Sequence, residues 1–401
     1  MRIVKVGDMR IDSEGEKRIL ELVRNGMISE GKNVSEFEDK WADFIGTKYS
    51  VLLNSGTSAL IAGLTALKIK NKIPKEKNKI ITTPITYIAV SNAVMLSQFE
   101  PVYVDIDIEN LCITPENIRV YLEENKQENI SMILPVHLMG YCADMDKINK
   151  IAEDYNLLVF EDSSQAHGSL YKGKKTGSMS SMSSFSFYIA HNIQAGEMGA
   201  INTNDKELCS IVRKLKSNGR LCDCKICTRG KGYCPYSKKH FDPRFRHELI
   251  GYNFKTTEFN AVLGLMQLKK INEIIRNRQK NVKKITEALK RFKDIFILPR
   301  YSSDISYLAY PLIIRNNTVD PDRLRSELSM NGVENRPIFG CIPTQQPSFE
   351  FLKKKYENKL PNAEFVGRNG FYIGCHQYLT DEDIEHVKDV FEKTLSSLKG
   401  V

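Results

Sequence analysis

The sequence predicts an α/β fold: a mostly parallel central sheet with helices on both faces, followed by a smaller C-terminal α/β domain. Three observations predict it. Short apolar runs alternate with helical periodicities between residues 51 and 161, the pattern of a sheet whose crossovers are helices. Polar or small residues follow the apolar runs, at the strand ends where such sheets bind ligands. The 401 residues, 41% hydrophobic and 27% charged, are ordinary for a globular chain and too many for one small core, so two domains are expected.

Helical patterns over Glu14 to Arg24 and Val34 to Phe44 are separated by Gly26 and Gly31. Apolar runs start at Val51, Lys79, Pro101, Met132 and Leu157, and alternate with helical stretches that start at Thr57, Tyr87, Pro115 and Met145. Ser184-Phe-Ser-Phe-Tyr-Ile-Ala reads as a strand ending at His191, and Gly196-Glu-Met-Gly199 as a tight turn into the next strand. A helix is predicted from Asp205 to Lys216. One long amphipathic helix, Thr257 to about Phe292, carries the chain from a large domain (1–270) into a small one (271–401). The small domain offers apolar runs at Ile295 and at Leu308 to Ile314, and helices at Pro321 to Met330 and Asp381 to Leu398.

The strand ends carry the candidate chemistry. Asn54-Ser55-Gly56-Thr57-Ser58 runs straight into a helix, where glycine admits close backbone approach and the free amides suit an anion, or serve an ordinary N-cap. Thr83-Pro-Ile-Thr86-Tyr87 places an aromatic ring at a strand end. Glu161-Asp162-Ser163-Ser164-Gln165 follows a strongly apolar strand, so Asp162 is placed either to hold a buried cationic ligand or to cap the next helix.

The net charge of +9, from 58 basic and 49 acidic residues, is scattered and suits a phosphate-bearing substrate better than nucleic acid. No run of about 18 apolar residues appears, and Met1-Arg-Ile-Val-Lys lacks the apolar core of a signal peptide, so neither a membrane nor a nucleic-acid partner is expected and the location is expected to be cytoplasmic. Five of the nine cysteines are dispersed, whereas Cys222, Cys224, Cys227 and Cys234 crowd into a stretch of about 219–248. In a reducing compartment such a cluster points to metal rather than disulfides.

Asn54-Ser-Gly-Thr-Ser-Ala-Leu60, Glu161-Asp-x-x-Gln165, Ser184-Phe-Ser-Phe187, Gly196-Glu-x-Gly199 and Gly251-Tyr-Asn253 occur in one order and spacing. Together they resemble the DegT/DnrJ/EryC1/StrS family of sugar aminotransferases. The resemblance implies the type I pyridoxal-phosphate (aspartate aminotransferase-like) fold, with residues 1–270 as the cofactor-binding domain. It further implies that Gly56, Thr57 and Ser186 hold the cofactor phosphate, joined by Asn253 of the neighbouring subunit in a homodimer. Tyr87 would stack on the pyridine ring, Asp162 would pair with the ring nitrogen and Gln165 would contact the phenolic oxygen.

One position departs from the family pattern: His191 stands where an aminotransferase has lysine. Imidazole can move a proton but cannot hold the cofactor covalently, so the resemblance implies free pyridoxamine phosphate. The histidine-for-lysine subset consists of 3-dehydratases of nucleotide-diphospho-4-keto-6-deoxyhexoses. The branch resembling CDP-4-keto-6-deoxyglucose 3-dehydrase adds a 2Fe-2S cluster, bound in the cysteine-rich insertion and fed by an electron-donating reductase. By that resemblance Cys222, Cys224, Cys227 and Cys234 are the expected ligands, although the branch's ligand two residues after the aspartate is Ser164 here. Four cysteines also suit zinc. Three alternatives stay open: a lysine-free aminotransferase, a cluster-free dehydratase with structural zinc, and a binding protein that turns the cysteine knuckle to nucleic acid.

Overall fold

The structure, a computed structural model, describes residues 2–229, 232–236, 242–315 and 319–399. Its strands in chain order are β1 (Tyr49–Leu53), β2 (Lys79–Thr82), β3 (Glu100–Tyr103), β4 (Ile130–Leu134), β5 (Leu158–Asp162), β6 (Leu170–Tyr171), β7 (Lys174–Lys175), β8 (Met182–Ser186) and β9 (Gly199–Thr203), then β10 (Phe296–Ile297), β11 (Tyr310–Ile314), β12 (Asn335–Pro337) and β13 (Gly370–Ile373). Seven form the central sheet in the order β1-β9-β8-β5-β4-β2-β3. Helical crossovers make its strands parallel, except that β9 runs against both neighbours. The exception has a local cause. No helix separates β8 from β9, only residues 187–198, so the chain must return antiparallel. The carboxyl ends of β1, β2, β4, β5 and β8 therefore share one edge, and the β8–β9 loop rises from that edge.

The predicted strands and helices of this sheet lie where the alternation put them. Helices Gly56–Lys70 and Met145–Asp154 follow β1 and β4, and the apolar strands are buried along their length. Two expectations change. The apolar pattern from Ser184 onward is not one strand: β8 stops at Ser186, and Phe187 instead closes the following loop by hydrogen bonds with Ala195 and Met198. The long helix from Thr257 is two, Glu258–Leu268 and Ile271–Leu289. Lys270 leaves helical geometry, its N–H turning back to the Gln267 carbonyl, while the apolar periodicity runs through the break and so conceals it.

The second sheet, β10-β11-β13-β12, is wholly antiparallel. Strands β12 and β13 escape the sequence pattern because each is short and bounded by Pro or Gly. The N-terminal segment joins this part of the molecule, with Val4 bridging to Val333 and the Val6 N–H donating to Glu334. No described helix is long and apolar enough to cross a membrane.

Beneath the β8–β9 loop lies a satellite core. Trp41, wholly buried, packs edge-on to Phe185 and Phe187 with ring centres 5.0 Å away and to His167 at 5.3 Å. Its helix, Lys32–Ile45, is pinned by buried Glu38, which accepts from Arg213 at 2.7 Å and from the Leu52 N–H at 3.0 Å. Replacing Trp41 with alanine empties the floor of the loop, and a loss of about 3–5 kcal/mol is expected, measured by urea denaturation followed by circular dichroism.

Candidate active site at the carboxyl edge of the sheet

Gly199 begins β9 opposite both Leu53 and Ser186. A Cβ there would fall 2.3 Å from the Ser55 carbonyl oxygen and 2.7 Å from the Gly56 nitrogen, so glycine lets the turn into helix Gly56–Lys70 lie directly on the sheet. Ser55 caps that helix by accepting from the Ser58 N–H at 3.1 Å. Gly56 in turn meets Ser186: a Cβ on Gly56 would lie 2.5 Å from the Ser186 Cβ. Gly56 and Ser186 thus meet at one corner, where the helix-terminal amides of Gly56 and Thr57 suit an anion.

Asp162 ends β5 in parallel register with Ser184 of β8. It is buried, and its hydrogen bonds fall on Oδ1: from the Ser164 hydroxyl at 2.6 Å, the Ser164 N–H at 3.0 Å and the Ser184 hydroxyl at 3.3 Å. Burial holds the carboxyl above the ordinary aspartate range, against those hydrogen bonds, which favour the charged form. A cation beside Asp162 would further favour the carboxylate. Ser164 thus orients Asp162. Gln165 is buried and accepts from the Met139 N–H at 3.0 Å through Oε1, so its amide nitrogen is the donor end. Tyr87 follows β2 and is 61% exposed, packed edge-on to Phe339 at 6.0 Å.

His191 sits on the loop between β8 and β9, beside His167 with ring centres 5.8 Å apart. The side chain keeps some exposure, but its Nδ1 is shielded and has no hydrogen-bond partner. Burial first, and then the Arg278 guanidinium, push its pKa down to about 3, so the imidazole is neutral at physiological pH. Side chains far apart in sequence clamp the loop. The Ile193 N–H donates to His167 Nδ1 at 3.3 Å, Gln194 and Gln267 exchange hydrogen bonds of 3.1 and 2.9 Å, and Asn260 donates to the Ala195 carbonyl at 2.6 Å. Ser164 was open to sequence reading, being two residues after an aspartate at a strand end. Gln267 and Asn260 gave no local signal.

Shielded polar atoms without partners gather here: Asn54 Oδ1, Ser163 Oγ, His167 Nε2, His191 Nδ1, Asn192 Oδ1 and Gln194 Oε1 make six of the twelve found among the described residues. Native interiors leave few such atoms, so their concentration marks a ligand-binding edge. A phosphorylated pyridine cofactor fits it, with an amide-lined corner for phosphate and a buried carboxylate for a protonated ring nitrogen.

Asn253 is exposed, its backbone paired with Ser217, and the carbonyl of the next residue, Phe254, accepts from the Asn54 N–H at 2.9 Å. Cys222, Cys224, Cys227 and Cys234 line a separate cavity of about 140 Å³ with Arg220, Lys225, Arg229 and Lys255. All four are free thiols, and among the described residues no three His, Cys, Asp or Glu side chains converge in a metal-holding group. The four cysteines expected to bind iron–sulfur or zinc therefore share a cavity, but among the described residues they form no metal-holding group.

The model of the DegT/DnrJ/EryC1/StrS aminotransferase family matches residues 9–392. The dTDP-4-dehydro-2,6-dideoxy-D-glucose 3-dehydratase of Saccharopolyspora spinosa is 29% identical, over 94% of this chain and 83% of its own. Among solved structures, Helicobacter pylori PseC, an aminotransferase of pseudoaminic acid biosynthesis, superposes with a TM-score of 0.87 at 26% identity, covering 99% of this chain and 100% of its own. E. coli GDP-4-keto-6-deoxy-D-mannose-3-dehydratase with bound hydrated PLP does so with 0.85 at 26%, covering 97% and 100%.

The neutral His191 has a thermodynamic signature. Below about pH 6.5 the unfolded chain protonates this histidine, whereas the folded protein resists until about pH 3. Stability is thus unaffected by His191 above that window and falls as pH drops through it. His191→Asn should lose up to about 2 kcal/mol less stability than the wild type between pH 7 and pH 5. Urea denaturation at the two pH values measures this, and equal losses would show that the imidazole is not held neutral.

Proposed function

The chain belongs to the DegT/DnrJ/EryC1/StrS aminotransferase family, and from that premise we propose that it is a pyridoxamine-phosphate-dependent 3-dehydratase of a nucleotide-diphospho-4-keto-6-deoxyhexose. The family depends on pyridoxal phosphate and acts in nucleotide-sugar and deoxysugar biosynthesis, which is the ground the proposal stands on. The observation that carries the finer reading is His191, a neutral imidazole on the β8–β9 loop, which we assign to the position of the family's lysine. It has a lone pair for a proton and no amine for a covalent link.

When bound, pyridoxamine phosphate supplies an amine that condenses with the sugar's 4-keto group and a ring that takes up electron density, so that the hydroxyl on carbon 3 can leave. The chain's residues do the rest. Gly56, Thr57 and Ser186 bind the phosphate through helix-terminal amides and hydroxyls. Asp162 holds the ring nitrogen protonated, and the same charge pairing favours its ionised form against the burial that raises its pKa. Tyr87 covers the ring face, and the Gln165 amide donates to the phenolic oxygen. His191 removes a proton at the cofactor's methylene carbon and serves as acid for the departing hydroxyl. Asn253, exposed on its own chain, reaches the phosphate of a partner subunit in a homodimer.

Replacing a carbon–oxygen bond with carbon–hydrogen is a two-electron reduction. Cys222, Cys224, Cys227 and Cys234 would hold an iron–sulfur centre that supplies single electrons from a reductase. Four thiols in one cavity and the basic side chains around them, which offset the negative charge of a tetrathiolate centre, support iron–sulfur. Aminotransfer is the second reading, favoured by the likeness to PseC; it requires that glutamate and a 4-keto sugar yield an amino sugar.

His191→Asn is expected to abolish solvent exchange of the cofactor's methylene proton in the presence of keto sugar while the cofactor still binds, as followed by mass spectrometry and absorbance. Unchanged exchange would sink the assignment. Protein purified without oxygen should contain about two iron and two sulfide per chain, and a colourless, zinc-containing protein would remove the electron-transfer role.

A further inference from the structure

Arg278, on helix Ile271–Leu289, is 1% exposed, yet its hydrogen bonds go to neutral groups. Nε donates to Gln377 Oε1 at 3.2 Å, and Nη1 donates to the carbonyls of Leu308 at 2.7 Å and Tyr307 at 3.3 Å, with the Cys375 thiol also in reach. A buried cation solvated only by dipoles is costly, and a well-packed apolar side chain is commonly neutral or stabilising in its place. A purely structural brace does not call for it.

The carbonyls it grips belong to a strap, residues 306–308, that touches both halves of the site. The Tyr307 carbonyl also accepts from Asn192 Nδ2 at 3.2 Å, and Asn192 donates to the Ser306 hydroxyl at 3.0 Å; Asn192 is the residue after His191. On the other side, the Ser306 N–H donates to the Ser169 hydroxyl at 2.9 Å, which donates to the Gly140 carbonyl at 2.6 Å. The Leu308 N–H donates to the Met139 carbonyl at 3.2 Å. Met139 is held at φ 56°, a left-handed conformation strained for a side chain of its size, and its own N–H fixes Gln165. One guanidinium thus anchors the strap from which the His191 loop and the Gln165 turn are both suspended.

We propose that Arg278 is a positioning residue of the proton-transfer site, locking the 306–308 strap and, through the Tyr307 carbonyl shared with Asn192, the loop that presents His191. This rests on His191 as the acid and base. His167 from the turn after β5 and Tyr188 of its own loop lie with ring centres 5.8 and 6.5 Å from the imidazole, and Arg278 from helix Ile271–Leu289 acts on it through its charge. Arg278 is the cation among them, so its charge disfavours imidazolium and its hydrogen bonds set the loop.

Two variants separate these contributions. Arg278→Gln keeps a donor but removes the charge, and Asn192→Ala cuts the loop from the strap with the charge left in place. Each is expected to slow methylene proton exchange by about tenfold to a hundredfold, the range for a slightly misplaced catalytic group, with the cofactor absorbance on binding retained. Cofactor-free protein carrying ¹³C-labelled histidine gives an independent readout: the His191 resonance, assigned by its loss in His191→Asn, should titrate at higher pH in Arg278→Gln and at the wild-type pH in Asn192→Ala. If His191→Asn itself exchanges normally, the acid–base reading fails. If His191→Asn is inert but the two variants exchange at the wild-type rate, the positioning proposal is overturned. Should Arg278→Gln not fold, wild-type exchange in Asn192→Ala overturns it alone.

Discussion

The close approach of the Ser55–Gly56 turn to Gly199 is the contact on which the site is built. A Cβ on Gly199 would strike the Ser55 carbonyl and one on Gly56 would strike Ser186, so two glycines seat the helix Gly56–Lys70 with its free amides over the sheet edge. Because β9 begins at that glycine and runs against its neighbours, the loop from Ser186 to Gly199 has to climb over the same edge. The phosphate corner and the His191 loop are two consequences of one packing constraint.

The second organising feature is electrostatic. The site holds an aspartate, Asp162, whose charged form burial disfavours despite three hydrogen bonds, and a buried guanidinium at Arg278 surrounded by dipoles. His167 and His191 are both held neutral by burial. A cationic ring beside Asp162 relieves the first deficit, whereas the second is a standing field that favours an unprotonated imidazole. Partnerless polar atoms collect in the same place because a site shaped for a ligand is incomplete without it.

The cysteine-lined cavity is organised separately. It rests on the buried acid Glu38, to which Arg213, Lys216 and Lys225 turn their charges, and it is bounded by basic side chains rather than by the cofactor edge. Lys225, between Cys224 and Cys227, carries this ionic anchoring into the insertion itself. The insertion is thus fastened to helix Lys32–Ile45, whose Trp41 floors the His191 loop.

The sheet, its parallel sense and the strand-end clusters were legible in the sequence because each rests on local rules: apolar runs, helical periodicity, and Gly, Ser and Asp at strand ends. The interruption after Leu268 was hidden because a helix break need not disturb amphipathic spacing, and β8 was read too long because Phe187 is apolar for the loop's sake rather than the strand's. What only the tertiary structure decided is how His191 is held. Asn260, Gln267 and Tyr307 lie 65, 73 and 115 residues from the loop residues they bond, Arg278 reaches the loop through Tyr307, and no periodicity connects groups that meet through a few hydrogen bonds. The sequence determined that a histidine follows the Ser-Phe-Ser-Phe strand end; burial, with the Arg278 charge acting on it, a property of packing alone, decided that this histidine is neutral.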